Sequence, residues 1–280
     1  MNNSTVNFTS SETSNSTTQS TGLVDNLKLC VFSINLLFGL PTHSYVIWLI
    51  IRGTGSGVAS EFFNLNLSVC EIVYSLNCVF YIVSICLPGI TVLPLFLVGL
   101  AFTGRPLFQC LICVERYLAV VHPVTFLKYK PLRYRVICST AAWSVTLGSC
   151  FLCLYRSQIH TQFLSVNFLL ALSIQLFCLV AVLRALKQSG PGERGRKREE
   201  ENHMKRRAFL IILINTVTMT IIYVPFAIAG LVTILTNQNI YAIWITGMIC
   251  YVLAGFVHPV LYLHRAGKLS CLRAFYMVIF

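Results

Sequence analysis

The chain contains seven stretches of twenty or more mostly apolar residues, and together they fill most of its 280 positions. A membrane-spanning helix needs about 20 such residues, because each residue rises about 1.5 Å across a hydrocarbon core about 30 Å thick. Lipid-exposed backbone must satisfy its own hydrogen bonds, so every stretch is read as a helix. The spans are expected at 27–51, 61–87, 92–120, 135–155, 161–185, 207–233 and 239–263. The fold class that follows is an all-α membrane protein, a seven-transmembrane helix bundle. Residues 1–26 form a disordered, glycosylated outer tail, 27–264 the bundle with a third inner loop at 186–206, and 265–280 a short inner tail with an interfacial helix. Only 11% of the residues are charged, against about a quarter in soluble domains. A separate soluble domain has no room.

A net charge of +12 suggests nucleic acid until its distribution is read. Eighteen of the 21 Lys and Arg residues fall on one side of the seven spans, around Arg52, Arg116 to Arg135, Arg184 to Arg207, and Arg265 to Arg273. The other side holds Lys28 and Arg156, while Arg105 lies inside a span. Positive loops stay cytoplasmic, so the N-terminus is outside and the C-terminus inside. The basic excess therefore reports topology and contact with an anionic inner leaflet. No nucleic-acid partner is implied.

The first 22 residues are rich in Asn, Ser and Thr and lack the apolar core of a cleavable signal, so the first span is expected to serve as its own targeting signal. Four N-x-Ser/Thr sequons begin at Asn2, Asn3, Asn7 and Asn15 and mark candidate glycosylation sites on the outer tail. Most of the twelve cysteines lie within the spans, where a thiol acts as a small apolar packing group. Cys271, beside Lys268 and Arg273 past the seventh span, is a candidate for palmitoylation. Neither a metal-binding cysteine pattern nor H-E-x-x-H, G-x-S-x-G or a phosphate-binding loop is present, so no enzyme activity, metal or cofactor is expected.

At the end of the third span stands CVERYLAVVHP, Cys113 to Pro123. LSVCE at 67–71, Trp143 in the fourth span, Tyr223-Val-Pro225 in the sixth and His258-Pro-Val-Leu-Tyr262 in the seventh follow in order. From about residue 27 to 273 the chain resembles an atypical rhodopsin-like (class A) G-protein-coupled receptor. The E-R-Y string matches, Tyr223 replaces the Trp of C-W-x-P, and His258 replaces the Asn of N-P-x-x-Y. The resemblance implies that Glu115, Arg116, Tyr117, Tyr223, Pro225, His258, Pro259 and Tyr262 form a coupling and activation switch facing a heterotrimeric G protein. Physical reasoning agrees with that assignment. Arg116 stands where the third span meets the cytosol, held by a local acid until neighbouring helices part. Pro225 and Pro259 each remove an intrahelical hydrogen bond and bend their helices. Pro41 adds a bend in the first span with no assigned role.

Rise per residue places Glu71 and Arg105 at one depth, about 15 Å from the inner ends of spans two and three. Either charge alone at mid-membrane is expensive, so the two are expected to pair. With His43 and His258 they define a buried polar cluster that also takes in Tyr262. In the family an acid at the Glu71 position helps hold sodium. Arg105 would fill that space with a fixed cation, and the expectation is a sodium-insensitive receptor.

Two turns above the bends, Val98, Phe102 and Thr103, Tyr223 and Phe226, and Met248, Tyr251 and Val252 line an apolar, aromatic candidate pocket without an acid. The expected ligand is small and apolar or lipid-like. Departures from the family pattern are equally specific. Thr91 stands near the position of the usual outer cysteine, and residues 154–160 carry no cysteine, so Cys86 with Cys150 or Cys153 is a substitute disulfide candidate. The fifth span lacks both Pro and Tyr, and residue 205, an acid in some members, is Lys, which suggests basal activity. The rival readings are a receptor-shaped decoy or partner that does not signal, and an ion- or proton-coupled transporter, which the absence of an internal repeat disfavours.

Overall fold

A computed structural model describes residues 26–53, 61–129, 131–155, 157–187, 196–236 and 241–265. Seven helices are long and apolar enough to cross a membrane. They are α1 (Asn26–Ile51), α2 (Phe62–Cys86), α3 (Val92–Val121), α4 (Leu132–Tyr155), α5 (Ser157–Lys187), α6 (Arg196–Thr236), and α7, which runs Tyr241–Gly255 and resumes as Val257–Arg265. A seven-residue helix, Pro123–Tyr129, joins α3 to α4. The seven expected spans are all present. α6 starts eleven residues before its expected apolar run, because the charged stretch from Arg196 continues the helix past the membrane face. The sequons at Asn2, Asn3, Asn7 and Asn15, and Cys271, lie outside the described residues.

α3 is the axis of the bundle. Of its apolar window 67% is buried within the protein, against 28–39% for the other six helices, whose remaining surface is left to lipid. It packs on α2, α4, α5 and α6, while α7 leans on α6 and its second half reaches α1. Without a hydrophobic driving force between helices in lipid, small residues at the contact permit close approach. Gly99 does so against α4: a methyl group there would lie 2.7 Å from the Cys150 Cα.

Proline shapes several helices. In α1, Pro41 follows a π turn at Asn35–Gly39, in which the Leu40 N–H reaches back to the Asn35 carbonyl. That turn faces the Asn35 side chain inward, where its amide donates to Ser75 Oγ on α2 at 3.1 Å. The bend to which sequence assigned no role thus ties α1 to α2. α7 breaks at Phe256, three residues before Pro259, which has no N–H to give the Gly255 carbonyl.

Candidate functional site

At mid-bundle the Arg105 guanidinium meets the Glu71 carboxylate side-on. Nε donates to Oε1 and Nη2 to Oε2, with the two side chains only 2% and 5% exposed. The expected α2–α3 pair is therefore formed, and α7 joins it. Arg105 Nη1 donates to the Tyr251 carbonyl at 2.7 Å, and the guanidinium carbon lies 3.5 Å from the Tyr251 ring centre. Gly255 is what lets α7 approach, since a methyl group there would sit 3.1 Å from Nη2 and 3.5 Å from Glu71 Oε2. The buried His43 of α1 faces the same carboxylate and the Gly255 carbonyl. His258 borders the cluster, its Nε2 2.9 Å from the Gln109 amide nitrogen. Tyr262, past the break at Phe256, packs against Val46, Leu49 and Ile50 of α1.

Directly after Arg105, α3 carries a proline, Pro106, which opens the turn outward of it. Pro106 cannot donate to the Phe102 carbonyl, its partner in a regular helix. The Tyr223 hydroxyl of α6 donates to that oxygen at 3.1 Å. Beside it the Tyr251 hydroxyl of α7 donates to the Ala101 carbonyl at 2.9 Å. A proline inside an apolar run was the available signal. Which side chains would answer it depends on tertiary packing.

Of the residues expected to line a ligand pocket, Phe102, Tyr223, Phe226, Met248, Tyr251 and Val252 gather in one cluster. Phe102 meets Phe226 edge-on at 4.8 Å and Tyr251 at 5.6 Å, while Tyr223 stacks on Phe168 of α5 at 5.2 Å. Val98 is half-buried one turn outward on α3. Thr103 is a correction. Its hydroxyl turns to α4 and donates to Ser149 Oγ at 2.7 Å, since residue 103 is turned about 100° around α3 from Phe102.

At the inner end of α3, Glu115 is held from another helix. Arg135 of α4 donates to its Oε1 at 2.6 Å, with side chains 6% and 11% exposed. This cross-helix partner was not anticipated for an acid adjoining Arg116, which is half-buried. Tyr117 contacts His122 at 3.0 Å and Phe177 of α5 edge-on at 5.6 Å, within an apolar knot with Cys113, Cys178, Val182 and Ile212. Pro225 lies half-buried within α6. The substitute disulfide is not formed: Cys86, Cys150 and Cys153 are free thiols. Cys150 and Cys153 are buried, with Cys150 against the α3 backbone at Gly99, while Cys86 is exposed at the end of α2.

Seven helices long and apolar enough to cross a membrane surround a buried ion pair, with Arg116 near the C-terminal end of the central helix. Comparison with known proteins finds receptors. The chain is 25% identical over 232 residues to hydroxycarboxylic acid receptor 2 of Rattus norvegicus, covering 70% of this chain and 59% of the relative. It is 25% identical over 215 residues to C-C chemokine receptor type 4 of Homo sapiens, 66% and 57% covered. It is 26% identical over 197 residues to chemokine XC receptor 1 of Homo sapiens, 59% and 56% covered. The chain thus spans less than two thirds of the length of the curated relatives it matches, and no protein-family model matches it. These relatives are receptors rather than enzymes. The chain is thus similar to rhodopsin-like (class A) receptors at about 25% identity, and its seven helices are long and apolar enough for a multi-pass membrane protein.

Proposed function

We propose that the chain carries a signal from an apolar or lipid-like ligand on its outer half to a heterotrimeric G protein at its inner face, promoting nucleotide exchange there. The observation that carries this reading is the inner end of α3. There Arg116 stands beside Tyr117, whose ring sits in an apolar knot shared with α5 and α6. Movement of α6 against that knot would change what Arg116 presents to the cytosol.

The ligand class rests on the aromatic cluster of Phe102, Phe226, Met248 and Tyr251, which contains no acid. Its neighbouring cation, Arg105, is engaged by Glu71 and the Tyr251 carbonyl. An anionic ligand would have to compete with a bidentate carboxylate. A coupling screen across G-protein subtypes, with and without serum lipids and with surface expression verified, tests the reading. Silence of a surface-expressed chain with every subtype would overturn it. One observation favours a second reading, a receptor-shaped partner that does not signal: Cys86 and Cys153, near the outer ends of α2 and α4, are free thiols.

A further inference from the structure

The structure places two tyrosine hydroxyls, from two different helices, on the carbonyls of one turn of α3. We infer that Tyr223 and Tyr251 are positioning residues that hold α6 and α7 against α3 by capping the turn opened by Pro106, and that this clasp sets the resting position of α6. The inference rests on the proposed signalling role only for its consequence. The clasp itself stands on geometry.

The turn runs from Ala101 to Pro106. In a regular helix the N–H of residue 106 would bond the Phe102 carbonyl; proline has none, and its ring crowds that oxygen. In the interior of a membrane bundle a carbonyl without a donor is costly, so another donor must be supplied. Tyr223 supplies it at 3.1 Å. The Tyr251 hydroxyl reaches the preceding carbonyl, Ala101, at 2.9 Å. Tyr251 is also fixed at its other end, because its own carbonyl accepts from Arg105 Nη1 and its ring lies under the guanidinium. Tyr223 is steadied differently, by its stacking on Phe168. α7 is therefore pinned at two points, whereas the described polar contact from α6 to this turn is one hydroxyl. α6 is the helix that can let go.

This separates two roles that a tyrosine can play. If Tyr223 acts only by filling space, its hydroxyl is dispensable in any background. If it acts by capping Phe102, the hydroxyl matters only while residue 106 is proline. In Pro106→Ala the backbone N–H returns, Phe102 recovers an intrahelical partner, and Tyr223→Phe should become silent.

The test is a cycle of Tyr223→Phe, Pro106→Ala and the double variant in the full chain, with Tyr251→Phe as a companion. Nitroxide amino acids at exposed Val136 on α4 and exposed Arg206 on α6 read the position of α6 without any G protein. Tyr223→Phe is expected to shift the distance distribution towards a longer component, populated about tenfold more than in the unmodified chain, the scale expected when one buried polar group loses its partner. Pro106→Ala added to Tyr223→Phe should restore the original distribution. Basal nucleotide exchange should follow the same order. Tyr251→Phe should move α6 less, since Arg105 still holds α7.

Equal distances in Tyr223→Phe and the unmodified chain, or a longer component that persists in the double variant, would overturn the clasp. If Tyr223→Phe does not fold, recovery of folded protein in the double variant supports the clasp and continued loss refutes it. Distances that follow the cycle while no G protein responds in any variant would uphold the clasp and refute the signalling role.

Discussion

Arg135 reaches from α4 to the carboxylate of Glu115 at the foot of α3, 2.6 Å away and almost out of contact with solvent. Glu115 adjoins Arg116, so the acid beside that arginine is tied to a second helix. Breaking such a buried pair strands a charge, whereas replacing both partners with apolar groups does not. Arg135→Met should lower the stability of the purified protein by about 3 kcal/mol, and Arg135→Met with Glu115→Leu should recover most of it. Thermal unfolding in detergent micelles reads both. Equal losses in the single and double variants would mean that the contact contributes nothing specific.

The mid-bundle pair makes a parallel prediction about ions. The guanidinium of Arg105 occupies the oxygen-rich side of Glu71. Basal output of the unmodified chain should not change when sodium replaces a bulky organic cation. Arg105→Ala should become sodium-responsive, and Arg105→Ala with Glu71→Gln should not. A sodium effect on the unmodified chain would show that the arginine does not fill the site.

Gly255 is tested by adding one carbon. A methyl group there would lie 3.1 Å from Arg105 Nη2, a group fixed by several hydrogen bonds and unable to retreat freely. Gly255→Ala should destabilise by about 1–3 kcal/mol through overpacking, despite the better helix propensity of alanine. An unchanged or raised unfolding temperature would place the pair further from α7 than described.

The aromatic cluster yields a ligand prediction. Phe226 packs edge-on against Phe102 and also against Gly247 of α7, where a methyl group would meet the ring at 2.9 Å. Gly247→Ala should tilt the Phe226 ring, and Phe226→Ala should remove it. Any apolar activator found in the coupling screen should lose potency by about tenfold or more in Phe226→Ala, as one large hydrophobic contact implies. Unchanged potency in both variants would move the ligand elsewhere.

Basal activity is the last expectation. Residue 205, an acid in some members of the family the chain resembles, is Lys. Second-messenger output without added ligand should exceed that of mock-transfected cells at matched surface expression. Output equal to mock would count against it.

The spans and the ion pair were legible because bilayer physics acts on local sequence. Twenty apolar residues have few fates, and a charge at mid-membrane needs an opposite charge at the same depth. Glu71 and Arg105 could therefore be paired by counting helical rise. The contribution of Tyr251 could not, since it is a backbone carbonyl and carries no side-chain signature. Pro106 was visible, yet its answering hydroxyls lie more than a hundred residues away on two other helices. Thr103 was misassigned for a related reason: one residue along a helix turns a side chain by about 100°, and inward-facing was read without knowing how α4 closes on Gly99. Arg135 was counted as one more basic loop residue, and only the packing of α4 on α3 buries it against Glu115.

The length of α6 has a mechanical consequence. From Pro225 to Arg196 the helix runs about 44 Å at the usual rise per residue. Pivoting that rod by about 10° at the proline would sweep its far tip about 8 Å, by the same helical geometry. A sub-ångström event at the outer aromatic rings would thus arrive magnified at the far end of the helix.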